Sequence, residues 1–171
     1  MTSMRVFLAV LAVSAALVLQ VTVFPHVAWQ GVVPNLVLLV VVGAALVRGA
    51  QFAMLLGFAA GVLLDLAPPA DHVAGRWALA LVVVGYLAGR VRQDAGTSAV
   101  AAVVTVAASS FVGTSVFALS GMVLRDPAIP VAEALAVIPP AVIYDVLLTP
   151  FVLPLAMRAL RRIEPHQVAY G

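Results

Sequence analysis

Long apolar runs, broken at intervals by single arginines and carrying two aspartates, Asp65 and Asp145, at or inside them, make up almost the whole of this chain. Such a pattern leaves no polar face to turn toward water. Hydrophobic residues make up 64% of the chain and charged ones 9%, where soluble domains carry about a quarter charged residues, and the mean hydropathy is +1.18. The solvent that suits this surface is a bilayer. With 171 residues and no polar half, residues 1–171 are expected to form a single polytopic membrane domain. Cysteine is absent, which excludes disulfides, thiolate metal sites and cysteine nucleophiles. The basic residues are nine arginines, and a net charge of +2 is too small to argue for nucleic acid.

A membrane helix needs roughly 20 apolar residues, with about 17 to 25 tolerated. Charges and Pro/Gly breaks divide the chain into six candidate spans, at about 4–24, 33–47, 50–66, 73–89, 96–124 and 131–157. The expected fold is therefore an all-α bundle of six transmembrane helices with both termini on one side. Arginine counts give the side. With the N-terminus inside, the inner face holds seven (Arg5, Arg48, Arg90, Arg92, Arg158, Arg161, Arg162) and the outer face two, Arg76 and Arg125, so both termini are expected to be cytoplasmic. Trp29 and Trp77 then fall at the outer interface as anchors, where indoles are enriched. Arg5 and the Val13-Ser14-Ala15 stretch resemble a signal peptide, but the apolar run continues to Phe24 and its removal would leave an odd number of helices. The first segment is read as a retained span.

Lipid supplies no hydrophobic force between helices, so small residues and interhelical hydrogen bonds must hold the bundle together. Ala53, Gly57, Gly61 and Asp65 recur every four residues on one face of the third span. Asp65 is expected at the outer end of that face, within reach of Arg76 or of backbone donors. Gly85 and Gly89 repeat the spacing in the fourth span, and Thr105, Ser109 and Gly113 in the fifth. The fifth stretch is too long for a perpendicular crossing and must tilt, bend or emerge. In the last, Pro139, Pro140, Pro150 and Pro154 predict kinks. Asp145 lies between these breaks beside Tyr144. An intramembrane carboxylate must be protonated, paired or turned to a polar cavity, and Gln20, also inside a span, is a candidate partner. Two readings of Asp145 stand side by side: a lock between helices, or a ligand or proton site.

Enzyme chemistry finds little support. Tyr144-Asp145 with Asp65 suggests an intramembrane aspartyl protease, but the glycine-x-glycine-aspartate motif of that class is missing. His26, His72 and His166 lack metal-ligand spacing. No catalytic, cofactor or metal site is expected.

Taken in order, several segments resemble the rod-shape-determining MreD family of bacteria. They are Gln20-Val21-Thr22 leading to Pro25, Pro34-Asn35-Leu36-Val37-Leu38-Leu39, the Arg48-Gly49 turn, and the run from Gly57 to Leu66. Gly85-Tyr86-Leu87-Ala88-Gly89-Arg90 and Tyr144-Asp145-Val146-Leu147-Leu148-Thr149-Pro150 complete the series. The segment Asp65 to His72 is most similar to actinobacterial members. One departure is Asn35, where the family often has aspartate; asparagine can still cap the second helix.

The resemblance implies a non-enzymatic scaffold subunit of the cell-elongation machinery in the cytoplasmic membrane. It implies association with the bitopic protein MreC, with the polymerase RodA and its class B transpeptidase, and indirectly with MreB filaments. A homo-oligomer is compatible with it. Gly57, Gly61 and Asp65 would set one helix interface, while Tyr144, Asp145 and Pro150 would shape the last helix for contact with another subunit. The inner arginines would touch anionic lipid or a cytoplasmic partner, or serve only as topology determinants. The alternative is a substrate-binding S component of an energy-coupling-factor vitamin transporter, a class that MreD-like proteins resemble. Ala12 and Ala16 supply the alanine-x-x-x-alanine pattern by which such a component docks, and Trp29, Asp71, His72, Arg76 and Trp77 are its candidate ligand groups.

Overall fold

The structure is a computed structural model that describes residues 2–29, 31–68, 72–95, 98–124 and 135–161. Its elements are α1 (Thr2–Thr22), a 3-10 turn (Phe24–Val27), α2 (Leu36–Arg48), α3 (Ala50–Leu66), α4 (Arg76–Arg90), the single turn α5 (Arg92–Ala95), α6 (Ala99–Val123) and α7 (Ile138–Arg161). The six long helices fall on the six segments read from hydropathy, and α3 has the same bounds. The expected starts at 96 and 131, together with Asp71, Arg125, Arg162 and His166, lie outside the described residues.

Helix α2 is the hub. It packs against all five other long helices, and around it α1, α3, α4, α6 and α7 form a ring, each on the next, with α7 returning to α1. Every residue of α2 from Leu36 to Val47 is buried, as its sequence requires, because a helix apolar on all sides has no face for solvent. Its 13 residues reach only about 20 Å, short of a hydrocarbon core of roughly 30 Å. By contrast α6 and α7, with 25 and 24 residues, are long and apolar enough to cross a membrane.

The bundle core is largely apolar but also holds buried polar groups, and large apolar side chains cover its outer surface. Gln20, Asn35, Asp65, Arg76, Ser110, Asp145 and Thr149 are buried, while Phe7, Leu55, Phe58, Phe111, Leu147 and Phe151 are exposed. An apolar outer surface together with buried charged and amide groups fits lipid as the surrounding solvent.

Small residues decide how closely the ring closes. A Cβ added at Gly57 would come 2.5 Å from the Leu81 carbonyl oxygen, one at Gly85 would come 2.7 Å from that of Ala53, and at Gly61 and Gly89 it would overlap the backbones of Ala78 and Ala50. Helices α3 and α4 therefore touch backbone to backbone along the four-residue stripe. On α1 the inward stripe is Ala9, Val13, Ala16 and Gln20. Ala12 also packs against this core, so the Ala12/Ala16 pattern faces α1's own bundle. Between α2 and α3 the link is one residue, Gly49, at φ +86°, where only glycine sits without strain.

Pro139 and Pro140 do not kink α7. They stand in its first turn, where the missing amide proton has no intrahelical acceptor to lose. Pro150 and Pro154 lie inside the helix and remove two of its backbone hydrogen bonds.

Candidate functional site

A helix leaves the amides of its first turn without intrahelical acceptors. For α2, which begins within the bundle, other residues must supply them. The Asn35 side chain accepts from Leu38 N at 2.9 Å, acting as the N-cap. Gln20 Oε1, from α1, accepts from Val37 N at 3.3 Å. Asp145 Oδ1, from α7, accepts from Asn35 N at 2.7 Å, and its Oδ2 accepts from Ser110 Oγ of α6 at 2.6 Å. Asp145 is 1% exposed. One carboxyl group thus joins α2, α6 and α7 at the positive end of the α2 dipole. Gln20 and Asp145 serve the same helix end through different amides rather than bonding to each other. Asn35 Nδ2 is buried with no acceptor among the described residues.

The segment before α2 folds over this end. Trp29 and Val32 exchange backbone hydrogen bonds around Gly31 at φ +77°. Tyr144 donates its hydroxyl to the Val27 carbonyl and meets the edge of Trp29 at 6.3 Å. Thr149 donates to the Asp145 carbonyl at 2.7 Å, so its hydroxyl is satisfied within α7.

Asp65 does the equivalent work for α4. Its Oδ2 accepts from Gly75 N at 2.9 Å and Ala78 N at 3.1 Å, and its Oδ1 from Trp77 N at 3.0 Å. His72 Nδ1 lies 3.7 Å from Oδ1. Of the two partners expected for Asp65, the backbone donors are used. Arg76 turns to α6 instead: Nε and Nη2 donate to the Phe117 carbonyl at 3.2 and 2.8 Å, and the guanidinium lies 3.9 Å from the Phe117 ring centroid. Gly121 leaves the space for it, since a Cβ there would overlap the guanidinium. Trp77 completes this cluster, stacked with its ring centroid 4.4 Å from that of Phe117. It is half-buried, whereas Trp29 is exposed.

The structure brings Asp145 to Tyr144, Gln20 and the α2 N-terminus, and it brings Gly57, Gly61, Gly85 and Gly89 to one contact with Asp65 at its end. It does not join the two groups: Asp65 and Asp145 share no hydrogen-bond partner among the described residues, and their oxygens are turned to different helix ends. An aspartyl dyad needs two carboxyls sharing one proton. Pro150 is exposed and lies outside both clusters. Ser110 has no place in the four-residue stripe of the fifth span; the need of a mid-helix carboxyl for a donor is the signal that points to it. Phe117 carries no signal, because a lone phenylalanine in an apolar span does not show that its carbonyl and ring receive Arg76, Trp77 and His72.

The family model described as rod shape-determining protein MreD matches residues 1–162. No curated protein and no solved structure matches the chain.

Proposed function

The chain belongs to the MreD family of rod shape-determining proteins, and from that premise we propose that it is a non-enzymatic scaffold of the cell-elongation complex. In this reading the chain passes the cytoplasmic membrane six times, with the short α2 enclosed by the ring and its crossing completed by the chain that flanks it. Both termini are cytoplasmic, and the outer faces of the ring meet MreC and, through it or directly, RodA and its transpeptidase. MreB filaments are reached indirectly.

The observation that carries the reading is the use made of the buried polar groups. The oxygens of Asp65 and Asp145 accept hydrogen bonds that finish helix ends, which is how a rigid framework is built. Three of the five candidate ligand groups for transport are engaged within the bundle, since His72, Arg76 and Trp77 all pack on the Phe117 ring.

Gentle purification of the tagged protein from its native membrane, followed by mass spectrometry, tests this. MreC, RodA or a transpeptidase in the eluate is the expected result; paired ATPases with a shared membrane coupler would overturn it in favour of vitamin capture. Asp145→Asn is expected to leave the protein inserted but to lower the yield of the complex. A wild-type yield removes Asp145 from any role in assembly.

A further inference from the structure

Two cavities on the α4–α6 side of the ring meet at one residue. The first is an apolar groove of about 420 Å³, walled by Val84 and Ala88 of α4 and by Val104 and Ala108 of α6, with Arg90 at its end. The second, about 600 Å³, is polar and is formed by Arg90, Arg92, Gln93, Gly49 and Gly89. Arg90 belongs to both. An oily trough and a basic cup thus share one arginine.

The dimensions and charges define an occupant. On α6 the groove extends from Ala101 to Val112, three turns or about 16 Å, close to half of a hydrocarbon core of roughly 30 Å. It matches one leaflet. The cup presents two guanidinium groups and an amide. Arg92 is held in place by its Nε, which donates to the Leu46 carbonyl at 3.0 Å. Guanidinium groups suit phosphate by charge and by forked geometry.

We propose that this composite cavity is a binding site for one anionic phospholipid, with an acyl chain in the α4–α6 groove and the phosphate on Arg90 and Arg92. The site is independent of the two aspartate caps and of which partners the ring carries.

Native mass spectrometry of the full chain, loaded with an equal mixture of dioleoyl phosphatidylglycerol and dioleoyl phosphatidylcholine, tests it. Two basic side chains near a membrane surface predict a preference of about thirtyfold for the anionic lipid. The variant Arg90→Gln with Arg92→Gln should approach parity. Ala108→Trp, which fills the groove and leaves the cup, should lose the retained lipid. Arg158→Gln with Arg161→Gln, on α7, should keep the wild-type preference. Equal retention of both lipids by the wild type overturns the proposal. So does loss of selectivity in the α7 variant, which means diffuse surface attraction, or retention in Ala108→Trp, which means that the groove holds nothing. Displacement of the lipid by millimolar inorganic phosphate overturns it in favour of a soluble anion. If the double arginine variant does not fold, the wild-type, Ala108→Trp and α7 results still decide.

Discussion

The two aspartate caps perform one task at very different range. Asp65 closes α4 with amides 10 to 13 residues further along the chain, so it completes a local turn between neighbouring helices α3 and α4. Asp145 binds Asn35, 110 residues away, and Ser110, 35 residues away, and so ties three helices around the buried end of α2. The first is a hairpin device and the second an assembly device. A local cap can re-form with its own turn, whereas a long-range cap has no substitute once helices have separated. Burial widens the gap, because an amide left without an acceptor costs most where water is excluded.

Replacing Asp145 should therefore have the largest consequence. Asp145→Ala leaves Asn35 N and the Ser110 hydroxyl without their acceptor, and a loss of about 4 kcal/mol is expected, near the middle of what two unsatisfied buried donors cost. Equilibrium unfolding in mixed micelles measures it, and a loss no greater than that of Asp65→Ala would collapse the distinction. Next comes Gly61→Ala. Its new methyl group overlaps the Ala78 backbone, so α3 and α4 must separate, at about 2 to 3 kcal/mol. The same unfolding assay, with Gly31→Ala as a control in open space but at positive φ, shows whether close approach or glycine loss alone is responsible. Asp65→Ala should cost about 1 to 3 kcal/mol, the cost of one buried donor, Ala78 N, left unsatisfied. Gly75 N and Trp77 N are only part-buried and can turn to water. A larger cost would mean that the α4 end depends on its carboxyl as strongly as the α2 end does.

These ranks also explain what is legible in the sequence. The α3–α4 stripe is legible because a four-residue repeat of Gly57, Gly61 and Asp65 is a geometric statement about one helix face, and α3 keeps the same bounds in sequence and structure. The central position of α2 is harder to see, although twelve successive apolar residues without a polar face carry it in principle. Asp145 stands out by its cost in a membrane, but its partners do not, since the choice among Gln20, Asn35 and Ser110 depends on how three helices meet. Pro139 and Pro140 mislead for a related reason: proline breaks a helix interior yet opens a helix start. Arg76 reads as an outer loop charge and lies inside the ring against Phe117.

The finest test asks whether the caps act separately. They share no hydrogen-bond partner among the described residues, and independent sites add within about 0.3 to 0.5 kcal/mol, whereas members of one network couple by about 0.5 to 3 kcal/mol. The double variant Asp65→Ala with Asp145→Ala should thus lose the sum of the single losses, with a coupling below about 0.5 kcal/mol in the same unfolding experiment. Helix α2 packs on α4 as well as on α7, so a route for coupling exists. A coupling well above that value would mean that the end of α4 and the end of α2 move as one rigid unit, and the contrast between a local and a long-range cap would then describe the chain's connectivity rather than its energetics.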